Sequence, residues 1–160
     1  RVAKMWVKEL CHGRFNQEPK ITSFPNASGL SQLILSGPIR FVSMCSHHWQ
    51  PIVGEAWCAY IPGQQVLGLS KLSRIVEFYS RRPQIQEELT QQVAEHIGEQ
   101  LPDALGVAVL MRSSHGCMTH RGVNDPHTMM TTSDLNGVFL NNPAVRQEFF
   151  DLCRDSKRGD

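Results

Sequence analysis

Residues 69–98 read LSKLSRIVEFYSRRPQIQEELTQQVAEHIG, and the spacing of their apolar positions sets the architecture. Leu72, Ile75, Val76 and Tyr79 recur at helical intervals behind Ser70, a residue suited to capping a first turn. A second helix is expected from Pro83, a residue favoured at a first helical position, with Leu89, Val93 and Ile97 as its buried stripe. Upstream, LSQLILS (30–36), IRFVSMC (39–45) and GEAWCAYIP (54–62) are short alternating or β-branched runs broken at Gly37-Pro38 and Pro51, which predicts three strands. Downstream, GVAVLMRSS (106–114) and TMMTTS (128–133) return to strand chemistry, and PAVRQEFFDLC (143–153) closes as a helix opening on a proline. At the front, RVAKMWVKELCHG (1–13) places Val2, Met5, Trp6 and Leu10 on one helical face and ends at Gly13, while residues 14–29 read as an irregular connection. Strands, two helices and strands again predict an α+β domain with helices packed on an antiparallel sheet. No repeat or linker divides it, so residues 1–160 are expected to fold as one domain, a helix over 1–13 preceding a core over 31–160.

The composition narrows the partners. Sixteen Lys and Arg against fifteen Asp and Glu leave a net charge of +1, so no global field draws the chain to nucleic acid or to an anionic membrane. The longest apolar runs fall far short of the roughly 18 residues that cross a bilayer. Cys11, Cys45, Cys58, Cys117 and Cys153 are odd in number and widely spaced, which suits a reducing compartment and predicts a soluble, cytoplasmic protein with free thiols.

Two of those thiols stand near histidines. CSHHWQ (45–50) sets Cys45 and His48 three residues apart at the end of a predicted strand, where both side chains can converge on one ion. Cys117, ending the strand of residues 106–116, is the best third ligand if the sheet brings it beside Cys45. Two thiolates and an imidazole select zinc over magnesium or calcium. Three protein ligands leave a fourth position for water, whose pKa zinc lowers to about 7. Cys58 is a rival fourth ligand that would seal the site; the alternative is a core thiol beside Trp57 and Tyr60. Cys11 and Cys153 read as packing residues, and His12, His96, His120 and His127 as surface or loop histidines. His47 and His115 adjoin the two ligand segments, and His47 shares the side of His48 only if the chain kinks before Pro51. Imidazoles there can deliver and remove protons at neutral pH, a combination suited to hydrolysis.

These residues resemble the GTP cyclohydrolase I family. Its C-E-H-H segment is similar to Cys45-Ser46-His47-His48, its G-L-S-K-x-x-R-I-V segment to residues 68–76, its R-P-Q-x-Q-E-x-L-T segment to 82–90, and its H-x-C-x-x-x-R-G segment to 115–122. The resemblance implies the tunnelling fold, in which five subunits close a barrel and two rings form a decamer with active sites at subunit interfaces. It implies conversion of GTP and water to 7,8-dihydroneopterin triphosphate and formate, with one zinc ion per subunit. Cys45, His48 and Cys117 would hold the zinc, and His47 and His115 would transfer protons. Glu87 would accept the guanine N1–H and N2–H pair, and Gln86 would touch ribose or base. Ser70, Lys71 and Arg74 would cradle the triphosphate with Arg121, and Arg1 would reach it from a neighbouring subunit. Ser46 departs from the family's glutamate, which leaves a non-catalytic GTP-binding homologue as the alternative. A zinc nucleobase deaminase ranks low, because neither its H-x-E nor its P-C-x-x-C element occurs.

Overall fold

A computed structural model of the chain describes residues 1–156. In chain order its elements are α1 (Val2–Met5), a wider helical turn over Trp6–Leu10, α2 (His12–Phe15), β1 (Ser23–Pro25), β2 (Ile34–Cys45), β3 (Pro51–Ile61) and β4 (Gln65–Leu67). There follow α3 (Leu69–Ser80), β5 (Pro83–Gln84), α4 (Gln86–Gln100), β6 (Gly106–His115), α5 (Gly116–Thr119), β7 (Met130–Leu135), α6 (Val138–Asn141) and α7 (Pro143–Asp155). The main sheet runs β5-β2-β3-β6-β7; its four long strands pair antiparallel, and only the two-residue β5 lies parallel to β2.

Period-two alternation sends the sheet's side chains to two cores. Ala56, Cys58 and Tyr60 of β3, with Val107, Val109 and Met111 of β6, meet the stripes Leu72, Ile75, Val76 of α3 and Leu89, Val93, Ile97 of α4. The intervening Trp57, Ala59, Ile61 and Ala108 meet Phe139 of α6 and Phe149 and Cys153 of α7 on the opposite face. Each fully buried aliphatic side chain of this kind contributes roughly 1.5–3 kcal/mol.

Several expectations are corrected. The first run enters a strand only at Ile34, and 34–36 continue into 39–45 as one strand, because a register shift between Ser36 and Ile39 absorbs Gly37-Pro38 without ending the ladder to β3. The second helix starts at Gln86, not Pro83: Pro83 and Gln84 pair with Met44 and Cys45, a sheet rim where a missing N–H is tolerated. Gly68 caps α3, so Ser70 lies inside the helix and its side chain is not the cap. At the N-terminus regular helix breaks at Cys11, and Gly13 sits within the next turn. A Cβ there would lie 2.1 Å from the carbonyl oxygen of Phe78, so Gly13 is small because the backbone of α3 passes against it. His96 is no surface histidine; it is 3% exposed, pairs through Nδ1 with Glu18, and shares that atom with the Tyr79 hydroxyl at 3.1 Å.

Candidate active site

Strand register assembles the ligand group. Met44 pairs with Pro51, and Ile52 pairs with His115, so the end of β2, the start of β3 and the end of β6 share one rim of the sheet. Cys45 and Cys117 therefore approach across the start of β3 rather than as direct strand neighbours. Gly116 permits this, since a Cβ would meet Pro51 Cδ at 3.1 Å and Gln50 Cβ at 3.2 Å.

His48 arrives through a tight turn. Trp49 N–H donates to Cys45 O at 2.9 Å and Cys45 N–H to Gln50 O at 2.8 Å, with Trp49 in the left-handed region at φ 53°. The turn puts His48 Nδ1 3.9 Å from Cys45 Sγ, and the ligand atoms of Cys45, His48 and Cys117 all lie within 4.8 Å of one another. Trp6 of the N-terminal helical segment packs edge-on against Trp49, ring centroids 5.4 Å apart, and braces the turn from outside. His47 is exposed, with its ring 6.2 Å from that of His48.

The donor set suits zinc on its own chemistry: two soft sulfurs and one imidazole converge from two separate segments. Burial, and then the adjacent Cys45 thiol, push the Cys117 thiol above its ordinary range, while Arg121 acts in the opposite sense. A divalent cation would reverse that penalty by favouring both thiolates. Cys58 belongs to another place: it is fully buried in mid-β3, paired with Ser36 and Val109, and burial pushes its thiol to about 12. It is a core residue, as are Cys11 and Cys153.

Behind the ligand group lies a closed polar network. His115 Nε2 is 2.7 Å from Gln86 Oε1, which also accepts from Ser113 Oγ at 2.5 Å. Gln86 Nε2 donates to Thr132 Oγ1 at 3.1 Å and to the carbonyl oxygens of Met111 and Met130 at 3.3 Å. Thr90 Oγ1 is 2.6 Å from Thr132 Oγ1 and donates to Gln86 O at 2.8 Å. Burial lowers the pKa of His115, and the carboxylate of Glu87 opposes that shift. Sequence reasoning missed Ser113, Thr90 and Thr132. Ser113 left a readable mark, since it keeps the parity of Val107, Val109 and Met111 and so puts a hydroxyl on the buried face.

The remaining candidates lie elsewhere in the chain. Ser70, Lys71 and Arg74 occupy the first turns of α3, whereas the segment following α3 is the one that borders Cys45, through Ser46 N–H to Gln84 O at 3.0 Å. Ten residues of α3 follow Ser70 and six follow Arg74 before that segment begins, roughly 15 Å and 9 Å of helix. Arg1 is exposed at the chain start, and Ser46 is exposed in the turn with only its backbone engaged by Gln84.

The profile of the family described as GTP cyclohydrolase I matches residues 1–154. The chain belongs to the GTP cyclohydrolase I family. It is 43% identical over 155 residues to "GTP cyclohydrolase 1" of Shewanella sp. strain ANA-3, covering 96% of this chain and 71% of that protein. It is 40% identical over 158 residues to "GTP cyclohydrolase 1" of Sulfurihydrogenibium sp. strain YO3AOP1, covering 99% and 82%. It is 43% identical over 155 residues to "GTP cyclohydrolase 1 2" of Pseudomonas aeruginosa, covering 96% and 84%. Among solved structures, the archaeosine synthase QueF-Like in its apo form superposes with a TM-score of 0.52 at 18% identity, over 68% of this chain and 94% of that one. As a member of the GTP cyclohydrolase I family the chain is a hydrolase, and its mixed α+β architecture is the tunnelling fold.

Proposed function

We propose that this chain is a zinc-dependent GTP cyclohydrolase I, converting GTP and water to 7,8-dihydroneopterin triphosphate and formate. The observation that carries the reading is the convergence of Cys45, His48 and Cys117 within 4.8 Å, beside the half-buried His115 and a helix-start glutamate. Zinc held by those three residues would supply Lewis acidity that brings the ionisation of water into the neutral range.

The chain's own groups supply the rest. His115 or His47 delivers a proton to N7 of guanine, which makes C8 electrophilic towards water, and the two move protons again as a second hydration releases formate and the opened ribose rearranges to close the pterin. Glu87 accepts the N1–H and N2–H pair, a fork that adenine cannot satisfy. Ser70, Lys71, Arg74 and Arg121 hold the triphosphate as hydroxyl and cationic donors. The start of α3, which carries Ser70, lies a helix length from the segment that borders Cys45, which supports a site completed by a second copy, with Arg1 contributed from a neighbour. The sheet has matching open rims: among the described residues, 34–43 of β2 have a strand partner on one side only, and β7 ends the strand order. Copies can join β7 to β2 around a ring, which fits two pentameric rings forming a decamer. We read the whole of 1–160 as one cytoplasmic domain, whose last four residues, 157–160, lie outside the described residues. Its product would feed tetrahydrofolate, another pterin or a deazaguanine.

The test is incubation of zinc-loaded protein with GTP and, in parallel, ATP. Formate and a pterin that becomes fluorescent on oxidation are expected from GTP alone. Folded, zinc-loaded protein that releases neither overturns the reading, and tight GTP binding without product would identify a non-catalytic homologue.

A further inference from the structure

We infer that Gln86 is a positioning residue that fixes His115 as its Nε2–H tautomer, and that Ser113 and Thr132 hold Gln86 in the orientation this requires. The inference rests on the proposed role of His115 and assigns Gln86 a task other than touching substrate.

The orientation of the amide follows from its neighbours. One end faces the carbonyl oxygens of Met111 and Met130, each at 3.3 Å. A carbonyl only accepts, so that end must be the NH2 group, and the choice between oxygen and nitrogen is forced by chemistry. The other end is then Oε1, which only accepts. Ser113 Oγ at 2.5 Å and His115 Nε2 at 2.7 Å must both donate to it, so the His115 proton sits on Nε2. In the neutral ring Nδ1 then carries the lone pair, and it is the nitrogen that can pick up a proton and pass it to substrate.

The amide has no capacity left over. Its oxygen accepts twice, and its two N–H groups serve three acceptors. Gln86 and Ser113 are both 0% exposed, so water does not compete for these bonds. Thr132 braces the amide from β7 and is itself held by Thr90 one helical turn beyond Gln86. A substrate contact by Gln86 would require one of these buried bonds to break, leaving a polar group without a partner.

The experiment uses the zinc-loaded full chain with isotopically labelled histidine ring nitrogens, His115 being assigned by comparison with His115→Asn. Magnetic resonance of the unsubstituted protein is expected to show His115 protonated on Nε2, a readout that needs no turnover. Should GTP not be turned over, the proposed function fails while this inference still stands or falls on the spectrum. Gln86→Met keeps the length and removes both hydrogen-bonding ends. It is expected to mix the tautomers and to lower kcat about tenfold or more, within the roughly 10²–10⁴ a positioned acid–base group supplies, with KM for GTP held within about twofold. Ser113→Ala, a smaller change, is expected to keep the tautomer and lower kcat by a few-fold at constant KM. A proton on Nδ1 in the unsubstituted protein, or an unchanged tautomer in Gln86→Met, overturns the inference. A raised KM at unchanged kcat in Gln86→Met also overturns it and puts Gln86 on the substrate. If Gln86→Met does not fold, the spectrum of the unsubstituted protein and the kinetics of Ser113→Ala carry the decision.

Discussion

Replacing Thr132 by valine tests the buried network through stability alone. Valine keeps the shape and the strand preference of threonine, so the change is close to deletion of one hydroxyl. That hydroxyl accepts from Gln86 Nε2 at 3.1 Å and pairs with Thr90 Oγ1 at 2.6 Å. Both partners keep other bonds: Thr90 still reaches Gln86 O at 2.8 Å, and Gln86 Nε2 still reaches two carbonyls at 3.3 Å. No buried group is orphaned, so the cost is two net hydrogen bonds, about 1–2 kcal/mol. Ser113→Ala removes one bond from the other end of the same amide and should cost about 1 kcal/mol. Both hydroxyls bond the Gln86 amide, so the double variant should depart from additivity by about 0.5 kcal/mol or more. Denaturant titration at fixed protein and zinc concentration measures all three, because both concentrations shift apparent stability. Strict additivity, or a Thr132→Val protein as stable as its parent, would refute a shared network.

Cys117→Ala should reduce bound zinc from about one ion per chain to a small fraction, whereas Cys58→Ala should leave it unchanged; metal analysis after dialysis decides, and full retention in Cys117→Ala sinks the ligand assignment. The chain has two tyrosines, and burial raises the pKa of both, Tyr79 to about 12. The folded state thus keeps these protons more tightly, so their contribution to stability is whole below about pH 10 and fades as the pH climbs towards about 12. An ultraviolet titration should find little tyrosinate in folded protein at pH 10, and ionisation equal to that of unfolded chain would contradict the burial. Gly13→Ala drives a methyl against the Phe78 carbonyl and should cost about 1–3 kcal/mol, loosening the N-terminal helical segment. Trypsin should then cut at Lys4, Lys8 or Arg14 faster than in the parent, and equal rates would show that the segment docks without that contact.

The helices of the central stretch were legible because their apolar stripes are long and regular: Leu72, Ile75, Val76, Leu89, Val93 and Ile97 are all buried where periodicity put them. Their boundaries were less so. Pro83 carries the same local signal at a first helical turn and at a strand rim, and only the tertiary pairing with Met44 separates the two. The bulge that fuses the two runs of β2 likewise depends on β3, a partner local sequence does not specify. Cys45, His48 and Cys117 could be named because soft ligands at turn spacing are uncommon. The family motif could name Gln86 but not its surroundings, which come from β6 and β7 as well as α4. His96 was misread because a histidine that pairs with a loop glutamate from residue 18 carries no local mark of burial.

The rim of β2 has a cost for the living cell. Along 34–43 the backbone groups of β2 that point away from β3 have no strand neighbour among the described residues, and such an edge can pair with an extended peptide. In the proposed ring, newly made copies would face a race between closure and indiscriminate sticking. Substitutions along 34–43 should therefore surface as insoluble protein in expression trials well before any defect in chemistry can be measured.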